Sequence, residues 1–191
     1  MTASQEQQLR ERVVSILWDD ACGRILFDVD GTTITSASFL WAAHHISSKR
    51  VGIKVEAQKK GVGAHYDQKK NVLSFPHMNY GLTDYERMNV VHECTHLWID
   101  STKKKTLGVV NEMCAFISGA TFLEAQGIAS PTNLSVFMAA GIVAKHVVAG
   151  TSLGVMPASS DVNNLRYAIY AQDIYAYLDK DRKFSYGEDG V

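Results

Sequence analysis

The residues best suited to chemistry lie in one stretch, His92-Glu93-Cys94-Thr95-His96. On a helix, side chains four positions apart share a face, so both imidazoles can present a nitrogen to one metal ion. Glu93 follows His92 by about 100° around the helix, where its carboxylate reaches a water on that metal without being a ligand. Two ligands and a general base thus come from one turn, which is the physical content of the pattern H-E-x-x-H. Asn111-Glu112-Met113-Cys114-Ala115 offers a third ligand, Glu112, because two antiparallel helices with a short joining loop bring it level with the histidines. Three protein ligands leave the fourth tetrahedral position open, which distinguishes a catalytic zinc site from a structural one. Zinc lowers the pKa of its bound water to about 7. Glu93 takes that proton, the hydroxide attacks a polarised carbonyl, and Glu93 delivers the proton to the leaving amine. The expected reaction is hydrolysis of peptide or amide bonds with one catalytic Zn2+.

These groups need rigid elements to hold them. Thr83-Asp84-Tyr85-Glu86 is a capping box that opens a helix running to about Ser101, with Val90, Val91 and Leu97 on its buried side. A second helix is expected from about Leu107 to Gln126, stopping at Gly127. A third starts at Ser130-Pro131 and ends near Gly150, and a fourth covers about Val162 to Leu178. Ahead of the motif, residues 5–19 form an amphipathic helix with Ser4 and Gln7 as its capping box. Arg24 to Val29 is a short strand closed by the turn Asp30-Gly31, and Ser36 to Ile46 is helical. Val51 to Ala57 alternates apolar and polar with the period of a strand. Gly63 to Asp67 and Asn71 to Pro76 flank the polar tip Gln68-Lys69-Lys70, which makes a β-hairpin. The fold class is α+β in one domain, residues 1–191. A lobe of helices and a small, mostly antiparallel sheet spans about 1–101, a helical lobe about 102–180, and a charged, fraying tail 181–191.

Composition narrows the function classes. Hydrophobic residues make up 46% and charged residues 20%, as in a globular chain able to bury a core, and the formal net charge is -1. No basic field is there to attract nucleic acid or an anionic membrane, and Lys103-Lys104-Lys105 reads as a solvated loop. Cys22, Cys94 and Cys114 are too few and too scattered for a disulfide framework. The polar start carries no apolar segment, so a cytoplasmic location is expected, with export as an effector left open. The expected partner is a peptide or protein substrate.

His92-Glu93-Cys94-Thr95-His96-Leu97-Trp98-Ile99-Asp100 resembles the metal-binding helix of the gluzincin metallopeptidases, including the thermolysin group. Asn111-Glu112 followed by Ala115 resembles the gluzincin helix that supplies a glutamate ligand, and the hairpin is similar to the edge-strand hairpin preceding the zinc helix there. The resemblance covers roughly residues 60 to 120. It implies a zincin-like fold, with ligands His92, His96 and Glu112 and Glu93 as base. It also implies that Gly63 to Tyr66, with Ala64 and His65 as substrate-binding residues, form an edge strand on which an extended peptide docks. Asp100 or Asn111 would orient a ligand histidine. The chain is shorter than a thermolysin-type peptidase and looks closer to the compact gluzincins. The downstream group that steadies the oxyanion has no matching motif; His146, Tyr167, Tyr170 and Tyr175 are the candidates.

Other features are read as structure. Cys94 and Cys114 point away from the metal and pack. His44-His45 diverge around their helix and have no acidic partner nearby. Asp28-Val29-Asp30-Gly31-Thr32 resembles the nucleophile loop of haloacid-dehalogenase-type phosphatases, but that fold needs a parallel sheet with alternating helices, so the segment is a strand and a turn. The alternative to a peptidase is a catalytically weak zincin-like domain that binds a peptide or protein.

Overall fold

Capping chemistry fixes where the first helices begin. In the computed structural model, which describes residues 2–153, 157–175, 178, 183 and 184, helix α1 (Ala3–Leu17) starts behind Thr2. The Thr2 hydroxyl accepts from the Gln5 N–H at 3.3 Å and the Gln5 side chain accepts from the Thr2 N–H at 2.9 Å, so the cap lies ahead of the expected Ser4 and Gln7 pair. Its buried stripe is Leu9, Val13, Ile16 and Leu17. Arg10 lies in that stripe too, and its guanidinium donates to the carbonyls of Ile46 at 2.6 Å and Val51 at 2.9 Å. A cation is thereby accommodated in the core by carbonyl acceptors and by the Glu6 carboxylate at 2.7 Å, and α1 is tied to the chain around residue 50.

Strand β1 (Leu26–Val29) closes at the turn Asp30-Gly31, as expected. Both residues have positive φ, 51° and 75°, the two-residue geometry that matches the twist of paired strands. The chain turns back into β2 (Thr32–Thr35), antiparallel to β1, a strand the sequence reading left out. The Asp28 carboxylate accepts from the Gly31 N–H at 2.8 Å and the Thr33 hydroxyl at 2.7 Å, and Asp30 pairs with Arg166 at 2.6 Å. Helix α2 (Ser36–Ser47) follows as expected.

Strands β3 (Gly52–Val55), β4 (His65–Asp67) and β5 (Val72–Phe75) make a sheet of order β3-β5-β4. The β4–β5 hairpin is antiparallel as expected, whereas β3 runs parallel to β5. One edge of this sheet, β4, faces helix α3 (Asp84–Ser101). The Thr83 and Glu86 box caps α3: the Thr83 hydroxyl accepts from the Glu86 N–H at 3.3 Å, and Glu86 accepts from the N–H groups of Leu82 and Thr83 at 3.0 Å.

Strand β6 (Thr106–Leu107) leads into helix α4 (Gly108–Ala125). Next come α5 (Ser135–Leu153), α6 (Ser159–Tyr170), a 3-10 turn (Asp173–Tyr175) and β7 (Lys183–Phe184). The architecture is α+β: helices with small sheets, three separate ones among the described residues rather than a single one. Pro131 does not open α5. A Cβ on Gly141 would lie 2.9 Å from Ser130, so the Ser130 stretch runs against α5 instead of forming its first turn. The helix expected over Val162 to Leu178 breaks after Tyr170, and residues 176 and 177 lie outside the described residues. Within the tail expected to fray, β7 pairs antiparallel with β6; its remaining residues lie outside the described ones. No helix among the described residues is long and apolar enough to cross a membrane.

The site depends on how α3 and α4 cross. Gly119 touches Met88: a Cβ there would stand 2.9 Å from the Met88 side chain and 3.1 Å from its carbonyl oxygen. Met88 against Gly119 at one end, and His96 against Glu112 at the other, make the pair antiparallel. Gly119→Leu is expected to force the helices apart and cost about 1–3 kcal/mol. A urea midpoint equal to that of the parent protein would show that this contact does not set the crossing.

Candidate metal centre

His92, Glu93 and His96 project from the middle of α3, where Val90, Val91, Cys94 and Leu97 are buried and hold the helix in place. Glu112 projects from the second turn of α4. Nε2 of His92 lies 3.1 Å from Nε2 of His96, and Oε2 of Glu112 lies 3.7 Å and 3.8 Å from them. Among the described residues these three form a group whose ligand atoms all fall within 4.8 Å of one another, so it can hold a metal ion. Each side chain is largely covered, with 13–14% of its surface exposed.

Asn111 selects the tautomer of one ligand. Its carboxamide oxygen lies 3.0 Å from Nδ1 of His96. That oxygen accepts the Nδ1 proton and leaves Nε2 with a lone pair directed at the group. Asp100, the other candidate for this task, is buried and accepts from the Tyr66 hydroxyl at 2.8 Å, while that hydroxyl also lies 2.6 Å from the Asn71 carboxamide oxygen. Oε2 of Glu112 is buried without a hydrogen-bond partner. The Tyr175 hydroxyl donates to the same carboxyl group.

Burial dominates the electrostatics. It pushes the Glu112 carboxyl upward, against the pull of His96 and Tyr175. It pushes Glu93 up to about 7, opposed by His96 and the Tyr66 N–H. His92 falls well below its usual value through burial and the neighbouring His96. For His96 burial works downward, yet Glu112, Glu93 and Asn111 outweigh it and the net direction is up. Two carboxyls and two imidazoles share a poorly solvated space.

No match is found to any family model, curated protein or solved structure. What the site can do therefore rests on its own geometry.

The centre opens onto a cleft lined by Gly61, Val62, Gly63, Ala64, Asn89, His92 and Glu93. Its apolar and aromatic lining comes from Phe116, Leu134, Val136, Phe137, Ile174 and Tyr175. Phe116 meets the His92 ring edge-to-face at 4.7 Å, Phe137 stands 5.6 Å beyond, and Tyr85 a further 6.0 Å. Ala64 thus reaches the cleft, while His65 is exposed and is not among the lining residues. Of the four aromatic candidates, Tyr175 alone lines the cleft. His146 pairs with Asp161 at 3.3 Å, Tyr167 is 71% exposed, and Tyr170 packs against the core. A larger open groove of about 800 Å³ along α1, past Arg10, Glu11 and Trp18, holds none of these groups.

The sequence reading did not single out three participants. Asn89 sits one turn before Glu93 on the same face, a signal present in the spacing. Tyr66 donates its backbone N–H to Oε2 of Glu93 at 2.8 Å. Phe116, four residues after Glu112, forms the apolar wall. His92→Ala, His96→Ala and Glu112→Ala should each lower metal stoichiometry on elemental analysis. Asn111→Ala should weaken metal affinity by about 10–100-fold in a chelator competition; an unchanged affinity would remove it from the site.

Proposed function

We propose that the chain is a zinc-dependent metallopeptidase of gluzincin type with a zincin-like fold, in which His92, His96 and Glu112 hold one Zn2+ and Glu93 is the general base. The observation that carries this reading is the spacing of the three ligand atoms, 3.1, 3.7 and 3.8 Å. Zinc bonds of about 2.0–2.1 Å at tetrahedral angles put neighbouring ligand atoms about 3.3 Å apart, so the residues fit the ion. The unpartnered Oε2 of Glu112 and the tautomer imposed by Asn111 support the same reading, since each offers a lone pair to one point. When bound, zinc supplies a Lewis acid and raises the acidity of water beside it.

The chain's own groups supply the proton transfers. Glu93 is the carboxyl placed to exchange protons at the site, beside His92 on the same helix and facing the cleft. It takes a proton from the water that attacks the peptide carbonyl and hands it to the departing amine. The Tyr66 N–H fixes one carboxylate oxygen of Glu93 and leaves the other for the water. Tyr175 lines the cleft beside Glu112, and its hydroxyl, on turning away from the Glu112 carboxyl, would donate to the carbonyl oxygen as charge develops there. The apolar wall lowers the local dielectric, which strengthens each of these interactions.

The decisive experiment is Glu93→Gln on a mixed peptide library. Zinc content should equal that of the parent while cleavage falls below detection. A parent protein that binds zinc but cleaves nothing would replace hydrolysis with capture of a peptide. Tyr175→Phe should lower kcat by about 10²–10³-fold with zinc retained; an unaltered kcat would leave the oxyanion to another donor.

A further inference from the structure

Asn89 occupies a position that packing alone does not require. It lies on α3 one turn ahead of Glu93, so the two side chains share a face, and both line the cleft with His92. Its Nδ2 donates to the Tyr80 hydroxyl oxygen at 3.0 Å. Tyr80 is 3% exposed and its ring lies 5.1 Å from that of Phe75, so the acceptor is held in place by the core. On the other side Asn89 rests against Gly63, where a Cβ would stand 2.4 Å from Nδ2 and 3.0 Å from the Tyr80 hydroxyl. Glycine at 63 is what lets the carboxamide sit there at all.

A carboxamide offers two N–H groups and an oxygen with two lone pairs. The Tyr80 bond uses one N–H. The residue is half-buried and shares its cleft with Phe116, Leu134, Val136 and Phe137, and the oxygen's lone pairs can accept from a chain bound there. The chain passing this point is Gly61 to Ala64, which leads into edge strand β4. Tyr66 already turns its N–H away from β5 towards Glu93, and Ala64, just ahead of β4, lines the cleft. An extended peptide laid beside this segment brings main-chain N–H groups over α3.

We propose that Asn89 is a substrate-positioning residue whose carboxamide oxygen accepts a main-chain N–H of an extended peptide lying along Gly61 to Ala64. The proposal rests on the peptidase reading above and adds a backbone-reading group to it. One helical turn is about 5.4 Å and extended chain covers about 3.3 Å per residue. The N–H read by Asn89 therefore lies within about two residues of the bond attacked.

The test uses the library peptide that the zinc-loaded parent cleaves fastest. Asn89→Ala should raise KM about five- to tenfold, the size of one hydrogen bond, with kcat within about twofold, since a bond made equally in ground and transition states changes KM alone. Gly63→Ala, which displaces the carboxamide from the other side, should do the same. A second readout needs no turnover: fluorescence anisotropy of the labelled peptide on the Glu93→Gln protein. Each non-scissile main-chain N–H is replaced in turn by an ester oxygen. One position should weaken binding about five- to tenfold, and the same ester should cost nothing further once Asn89→Ala is added. Equal ester costs with and without Asn89 would overturn the proposal, as would an unchanged KM in Asn89→Ala. A parent that neither cleaves nor binds any library member overturns the peptidase reading and this proposal together, whereas cleavage indifferent to Asn89 overturns this proposal alone.

Discussion

The contact between Met88 and Gly119 governs what the rest of the molecule can do. Helices pack about 8–10 Å apart depending on the side chains between them, and a glycine at the crossing allows the closer end of that range. The distance matters because Glu112 has a short reach. Its carboxylate must extend from α4 to both imidazoles on α3 without unwinding either helix. The Thr83 and Glu86 cap and the buried Val90, Val91 and Leu97 fix α3 along its length. Asn111, next in sequence to Glu112, bonds His96 across the same gap, so one turn of α4 supplies both a carboxylate and the group that orients its partner.

That packing assembles charges that do not favour one another. Burial raises both carboxyls, lowers His92 and leaves His96 biased towards its charged form by the neighbouring carboxyls. A protein holds such a group together only where surrounding apolar contacts outweigh the desolvation. A divalent cation reverses the sign of the problem, because each lone pair that lacked a donor gains an electrophile. Under the proposed reading, folding and metal affinity are therefore linked, and the helices are the stable frame on which the centre depends.

How much of this was legible in the sequence depended on whether the signal was local. The hairpin over residues 65–75, the capped helix from Thr83 and the convergence of His92, His96 and Glu112 follow from spacing, caps and turn length, and all three appear. The parallel pairing of β3 with β5 and the β6–β7 pair join distant segments, which no local pattern encodes. The strand after Asp30-Gly31 was a different case: the dipeptide is a strong hairpin signal and was read as a turn, without the paired strand β2 that follows it. Pro131 misled because proline favours a first helical turn, yet packing of Ser130 on Gly141 prevailed over that preference. Tyr175 could not be separated from His146, Tyr167 and Tyr170 by sequence, since what selects it is the break after α6 that carries Gln172, Ile174 and Tyr175 into the cleft.

The bond from the Tyr66 N–H to Glu93 ties the two halves of the site into one mechanical unit. An edge strand normally leaves alternate N–H groups free for a new strand; here one of them is committed to the proposed base. The Tyr66 ring is anchored separately, its hydroxyl bonded to Asp100 near the end of α3. Residue 66 is thus fixed to α3 at two points, one through its backbone and one through its side chain. Under the proposed reading, a peptide docking along Gly61 to Ala64 meets a β4 already tied to the carboxylate that would act on it. A side chain that blocked the segment ahead of β4 without moving Tyr66 would then cost peptide binding and leave Glu93 in place.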